Sequence, residues 1–121
     1  MELRCLIVDD NADFLAAARD LLGRQGISVV GVATSGVEAL ERLNELQPEI
    51  ALIDVDLGDE NGVDVARRFA EHGTRVVLIS AYAELDIADL VVGSPAVGFV
   101  SKSQLSGQRI RDVLASEPRG T

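Results

Sequence analysis

A doubly wound α/β domain on a five-stranded parallel sheet is the fold class this sequence predicts, and three observations predict it. Strand-like and helix-like patterns alternate from one end of the chain to the other, as β/α units around a parallel sheet do. The strand-like runs are apolar almost throughout, as strands covered on both faces should be. These runs also end in related chemistry. Leu6-Ile7-Val8 runs into Asp9-Asp10, Ile50-Ala51-Leu52-Ile53 into Asp54, and Val76-Val77-Leu78-Ile79 into Ser80, while Val97-Gly98-Phe99-Val100 stops two residues short of Lys102.

Leu3 to Val8 reads as the first strand. Phe14, Leu15, Ala18, Leu21 and Leu22 then recur at helical spacing, and Gly23 or Gly26 can end that helix. Ser28 to Ala33 is β-branched and strand-like. Ser35 followed by Glu38 fits a capping box for a helix with Val37, Leu40, Leu43 and Leu46 along one side, stopped by Pro48. Glu49 to Asp54 forms the third strand, and Val55 to Asn61 an acidic, glycine-bearing loop. A helix with Val63, Val65, Ala66, Phe69 and Ala70 follows, then a strand from Arg75 to Ser80. Glu84 to Val92 reads as a helix with a polar start, broken by Gly93-Ser94-Pro95. Val97 to Ser101 is a short fifth strand, and Gln104 to Ala115 a last helix using Leu105, Ile110, Val113 and Leu114. Ser116 to Thr121 has no pattern.

At 121 residues the chain has the size of one domain, and nearly half of its residues are apolar, which excludes a disordered segment. No apolar stretch approaches the length of a membrane span. Met1-Glu2-Leu3-Arg4 leads straight into a strand without the layout of a signal peptide. Cys5 is the single cysteine, so no internal disulfide can form, and a cytoplasmic setting is expected. Its place in a buried strand marks it as an inert core thiol. A net charge of -9 argues against direct nucleic-acid binding, which needs a basic face.

In doubly wound sheets the site lies outside the carboxyl ends of the strands. That rule gathers Asp9, Asp10, Asp54, Ser80 and Lys102 into one crevice. Three carboxylates a few ångströms apart repel by several kcal/mol per pair, on the order of what an intermediate dielectric allows, so protons or a hard cation must relieve them. Oxygen-only ligands favour Mg²⁺, which takes one or two carboxylates plus phosphate oxygens. A lysine and a hydroxyl facing that metal suit an incoming phosphoryl group, and an aspartate can be its nucleophile.

These residues resemble the receiver domains of two-component response regulators, over essentially the whole chain. Asp9-Asp10 looks like the acidic metal-binding pair of that family. Asp54, followed by Leu57 and Gly62, is similar to its phosphoacceptor motif, Ser80-Ala81 to its hydroxyl residue and neighbour, and Phe99, three residues before Lys102, to its switch aromatic. The resemblance implies a flavodoxin-like sheet of strand order 2-1-3-4-5 with five helices, a receiver domain over residues 1–115, and a tail or linker stub over 116–121. Asp54 would accept a phosphoryl group from a phosphohistidine on a sensor histidine kinase or histidine phosphotransfer protein. Asp10, with Asp9 through water, would hold Mg²⁺ together with Asp54 and the backbone carbonyl of Asp56. Ser80 and Lys102 would contact the phosphoryl oxygens. Movement of Ser80 would open space for Phe99 and change the surface of the fourth helix, fifth strand and fifth helix, where a homodimer could form. Beyond catalysing its own phosphorylation and dephosphorylation, such a domain is not an enzyme.

The chain departs from the family at several points. Ser103 follows Lys102 where a proline, often preceded by a cis bond, is usual. A cis bond before a non-proline costs roughly 3–4 kcal/mol, so a trans bond or a rebuilt loop is expected. Gly58 stands in place of another common proline and loosens the loop after Asp54. Ser94-Pro95-Ala96-Val97 replaces the usual Gly-Ala. Asp56 and Tyr82 lie near the path of an attacking water and are expected to tune phosphoryl lifetime.

Plainer roles stand beside these. Asp9 also fits a cap of the first helix, Phe99 a core aromatic, Tyr82 a solvent-edge residue, and His72 a capping or surface residue. Two other functions fit parts of the pattern. One is a degenerate receiver used only for docking or dimerisation. The other follows from Ile53-Asp54-Val55-Asp56, which also resembles the Asp-x-Asp motif of haloacid-dehalogenase-type phosphatases; there, however, the motif follows the first strand and a further acidic motif comes later.

Overall fold

The structure, a computed structural model, describes residues 3–81 and 92–116. Its elements in chain order are β1 (Leu3–Val8), α1 (Ala12–Arg24), β2 (Ile27–Ala33), α2 (Gly36–Leu46), β3 (Ile50–Asp54), β4 (Asp56–Leu57), β5 (Glu60–Asn61), α3 (Gly62–Glu71), β6 (Arg75–Ser80), β7 (Gly98–Ser101) and α4 (Gly107–Ala115). The main sheet has five parallel strands in the order β2-β1-β3-β6-β7. Leaving aside the antiparallel pair β4–β5, this is the expected 2-1-3-4-5. The described residues contain four α-helices; the helix expected over Glu84–Val92 lies, apart from Val92, outside them.

Continuous apolar strands demand cover on both faces, and two cores supply it. One joins Leu6, Val8, Ile53 and Leu78 to Ala39 and Leu43 of α2 and to Val63, Ala66 and Phe69 of α3. The other joins Cys5, Ile7, Leu52 and Ile79 to Leu15, Ala18 and Leu22 of α1 and to Ile110 of α4. Each large side chain so buried contributes roughly 1.5–3 kcal/mol relative to exposure.

Local chemistry moves several expected boundaries. The α1 cap is Asn11, whose side chain accepts the Phe14 N–H at 3.1 Å, and not Asp9. Ser35 caps α2 by accepting from Glu38 N–H at 3.2 Å, but the reciprocal Glu38 carboxylate reaches Thr34 N–H at 2.7 Å, one residue earlier than a capping box requires. Val37, expected on the inner side of α2, is 69% exposed. The stretch read as a loop from Val55 to Asn61 contains the β4–β5 hairpin. The last helix starts at Gly107 rather than Gln104. Lys102–Gln104 forms a short 3₁₀ turn, Leu105 is extended, and Ser106 caps α4 by accepting the Arg109 N–H at 3.0 Å. Strands β2, β3 and β7 differ from expectation by one residue at their starts. No helix among the described residues is long and apolar enough to cross a membrane.

Candidate functional site

Register alone brings the polar residues to one edge. Val8 pairs with Ile53, Asp54 with Ile79, and Ser80 with Ser101. Asp9, Asp54, Ser80 and Lys102 therefore each follow a paired rung at the carboxyl end of the sheet. Three of them are buried: Asp9 at 0%, Asp54 at 5% and Ser80 at 1% exposure.

Carboxylate oxygens of Asp9, Asp10 and Asp54 all lie within 4.8 Å of one another. Lys102 reaches into this group from beyond β7. Its Nζ donates to Asp54 Oδ2 at 3.0 Å and forms an ion pair with Asp9 Oδ2 at 2.5 Å. The second contact is close but poorly aimed, so the buried Asp9 Oδ2 has charge compensation without a directed hydrogen bond. The other oxygen, Oδ1, accepts the Asn11 N–H at 2.9 Å. Asp54 Oδ1 accepts the Asp56 N–H at 3.1 Å.

These contacts only partly compensate burial. Burial raises the Asp54 pKa above its ordinary value, and the charge of Asp9 adds to the rise. The Asp56 N–H and Lys102 oppose it without cancelling it. For Lys102, burial alone would lower the pKa, but the two carboxylates outweigh it and hold the ammonium above its usual range. For Cys5, burial outweighs a backbone hydrogen bond from Leu52 and pushes the thiol up to about 12, which fits an inert core residue.

The donor set suits a hard divalent cation: three carboxylates at one edge, one of them with an oxygen lacking a directed donor, and one ammonium among them. Asp10 is exposed and faces the crevice mouth, where Gly58 approaches its carboxylate. Asp56 contributes its backbone to Asp54, whereas its side chain is exposed and stands outside the carboxylate cluster. The loop beneath is shaped by two glycines. Gly58 adopts φ 71°, the left-handed conformation that turns β4 into β5. Gly62 passes so close to the end of β3 that a Cβ there would lie 1.8 Å from the Asp54 carbonyl oxygen.

The response regulator receiver domain family model matches residues 5–115. The chain belongs to that family. Among curated relatives, the chemotaxis protein CheY of Thermotoga maritima is 30% identical over 104 residues, 84% of this chain and 87% of that protein. The DNA-binding transcriptional activator EvgA of Escherichia coli K12 is 31% identical over 104 residues, and there the match spans 84% of this chain but only 51% of the relative. Among solved structures, the signal receiver domain of NarL from Mycobacterium tuberculosis superposes with a TM-score of 0.80 at 30% identity, covering 98% of each chain. The response regulator domain of Thermotoga maritima CheB gives 0.77 at 25% identity over the full length of both.

The remaining expected positions can be placed in this receiver domain. The described residues contain no cis peptide bond, so Lys102–Ser103 is trans and the lysine opens a 3₁₀ turn, as the missing proline led one to expect. Phe99 is 8% exposed and packs in the core on the α2–α3 side of the sheet. Tyr82 lies outside the described residues. His72 follows α3 and its ring Nδ1 lies 3.0 Å from the Arg68 carbonyl oxygen, a capping role. One residue was missed: Phe14, read only as part of the α1 core face, has its ring 4.6 Å from Lys102 Nζ. No spacing rule announces that contact, because it joins the first helix to a lysine beyond the last strand.

Proposed function

We propose that this receiver domain is a phosphoacceptor switch, in which Asp54 takes a phosphoryl group from a phosphohistidine on a sensor histidine kinase or histidine phosphotransfer protein. The observation that carries the reading is the placement of Asp54: buried at the carboxyl edge, flanked by Asp9 and Asp10, and bonded to Lys102 at 3.0 Å. Asp9, Asp10 and Asp54, with the backbone of Asp56, would hold Mg²⁺. When bound, that cation neutralises the carboxylates and screens phosphoryl oxygens. In the transfer, an Asp54 oxygen attacks phosphorus, the P–N bond to the donor histidine breaks, and the imidazole leaves with the bonding pair. Lys102 turns from the Asp54 carboxylate to the new phosphoryl oxygens, and Ser80 donates its hydroxyl hydrogen to another.

Phe99 sits on the strand that pairs with β6, two residues before the rung shared with Ser80. A shift of Ser80 toward the phosphoryl group therefore bears on the space beside Phe99 and on the partner-facing surface around β7 and α4, where a second copy could dock. Asp56, with Tyr82, is assigned to tuning phosphoryl lifetime. The domain itself is taken as residues 1–115, with 116–121 as a tail or linker, in a cytoplasmic protein without nucleic-acid or membrane contacts of its own. Incubation with acetyl phosphate or beryllofluoride and Mg²⁺, followed by mass spectrometry or spectral shifts, tests the reading. A Mg²⁺-dependent adduct lost in Asp54→Asn is expected; an adduct that persists in that variant, or none at all in the native chain, overturns it.

A further inference from the structure

The ammonium of Lys102 lies over the ring of Phe14, with Nζ 4.6 Å from the centroid. A cation is attracted to the negative face of an aromatic ring, more strongly where water is partly excluded, and the Lys102 side chain keeps only 19% exposure. The ring is itself anchored to the site. Phe14 donates its N–H to Asn11 Oδ1 at 3.1 Å, and Asn11 donates its own to Asp9 Oδ1 at 2.9 Å. Asp9, Asn11, Phe14 and Lys102 thus close a circuit, because Lys102 returns to Asp9 as an ion pair. Backbone support for the lysine is slight by comparison. It stands at the start of a three-residue 3₁₀ turn, on a trans bond to Ser103, beside an exposed hydroxyl pair of Ser101 and Ser103 at 3.0 Å.

We propose that Phe14 is a positioning residue for Lys102: its ring, fixed by the first turn of α1, holds the ammonium at the acceptor edge where the loop after β7 lacks a rigid proline. The inference rests on the phosphoacceptor reading for its consequence, but the contact itself is testable without phosphorylation. In the unphosphorylated protein, the Lys102 ε-methylene protons should resonate upfield of their ordinary position because of the ring current. Phe14→Leu should abolish that shift and Phe14→Tyr should keep it. In labelling by acetyl phosphate with Mg²⁺, Phe14→Leu should slow Asp54 modification by about five- to thirtyfold, the range a partly desolvated cation–ring contact allows, while Phe14→Tyr stays within about twofold. In a Lys102→Ala background, Phe14→Leu should cause no further slowing. Ordinary ε-proton shifts in the native chain, unchanged labelling in Phe14→Leu, or equal slowing with and without Lys102 would each overturn the proposal. If the native chain takes no label at all, the phosphoacceptor reading fails instead, and the ε-proton shifts still decide whether the ring holds the lysine.

Discussion

Replacing Lys102 by methionine removes the ammonium that is ion-paired with both Asp9 and Asp54 while keeping most of the side-chain volume. The structure sets the size of the effect. The lost charge stood 2.5 Å from one carboxylate oxygen and 3.0 Å from another, with the side chains of Asp9 and Asp54 only 0% and 7% exposed. At an effective dielectric of 20, each pair with charge centres near 4 Å carries about 4 kcal/mol of attraction, much of it offset by the cost of desolvating the ammonium. Removing one partner of such a buried pair costs roughly 3–5 kcal/mol. The low end of that range, about 3 kcal/mol, is expected without metal, because the ammonium keeps some contact with water. With a urea slope of roughly 1–3 kcal/mol per molar, the unfolding midpoint should fall by about 1.5 M. Mg²⁺ should reverse the deficit, because a cation that binds only the folded state returns about 2.7 kcal/mol at a hundred times its Kd, and it no longer competes with the lysine. The assay is urea unfolding of both proteins with chelator and with saturating Mg²⁺. Equal midpoints in chelator, or a deficit that Mg²⁺ leaves untouched, would refute the view that Lys102 is the internal counterion of a metal site.

Three further outcomes follow from the same geometry. The folded-state pKa of Asp54 is raised, mainly by burial, so its contribution to stability is full at pH values below the ordinary carboxylate range and is lost as pH rises through the raised value. The metal-free native chain should therefore lose stability relative to Asp54→Asn across that window, as read by denaturation at a series of pH values; a difference that does not vary with pH contradicts the assignment. Gly62→Ala sets a Cβ 1.8 Å from the Asp54 carbonyl oxygen, a backbone atom that cannot swing aside; a loss of about 3 kcal/mol, read as a melting point lower by roughly 10 °C, is expected. Phe69→Ala empties a fully buried position in α3 and should cost about 3–5 kcal/mol by urea unfolding, yet the folded fraction should still take label on Asp54, since Phe69 packs away from the carboxylate edge.

The fold was legible because buried parallel strands write themselves as continuous apolar runs, and the site because each run stops at or near a polar residue whose burial requires a partner. Asp9, Asp54, Ser80 and Lys102 needed no more than strand ends and topology to be grouped. What stayed hidden depends on which atom meets which. Glu38 bonds Thr34 rather than Ser35, a choice between neighbouring N–H groups that no residue pattern decides. The β4–β5 hairpin rests on a single left-handed glycine within an acidic stretch that reads as loop. The start of α4 moved because Ser106, not a residue near Gln104, offers the capping hydroxyl. Phe14 was placed correctly on its helix, but its second partner lies 88 positions further along, between residues 14 and 102 of the sequence, where no local periodicity reaches.

The charge arrangement also explains why the site and the fold are hard to separate. Three carboxylates converge where the two halves of the sheet meet, and one lysine cannot neutralise them all. Asp54 responds with a raised pKa, which means that the folded chain resists its ionisation. Any ligand that restores balance by adding positive charge therefore stabilises the fold as it binds, and the stabilisation is largest for the ionised form of Asp54, the form able to attack phosphorus. A cation bound there, as proposed, would release Lys102 from a purely structural duty, since it would compensate the acids that Lys102 otherwise compensates. Under the proposed function, the same electrostatic strain would couple metal binding, ionisation of Asp54 and the freedom of Lys102 to turn toward a phosphoryl group.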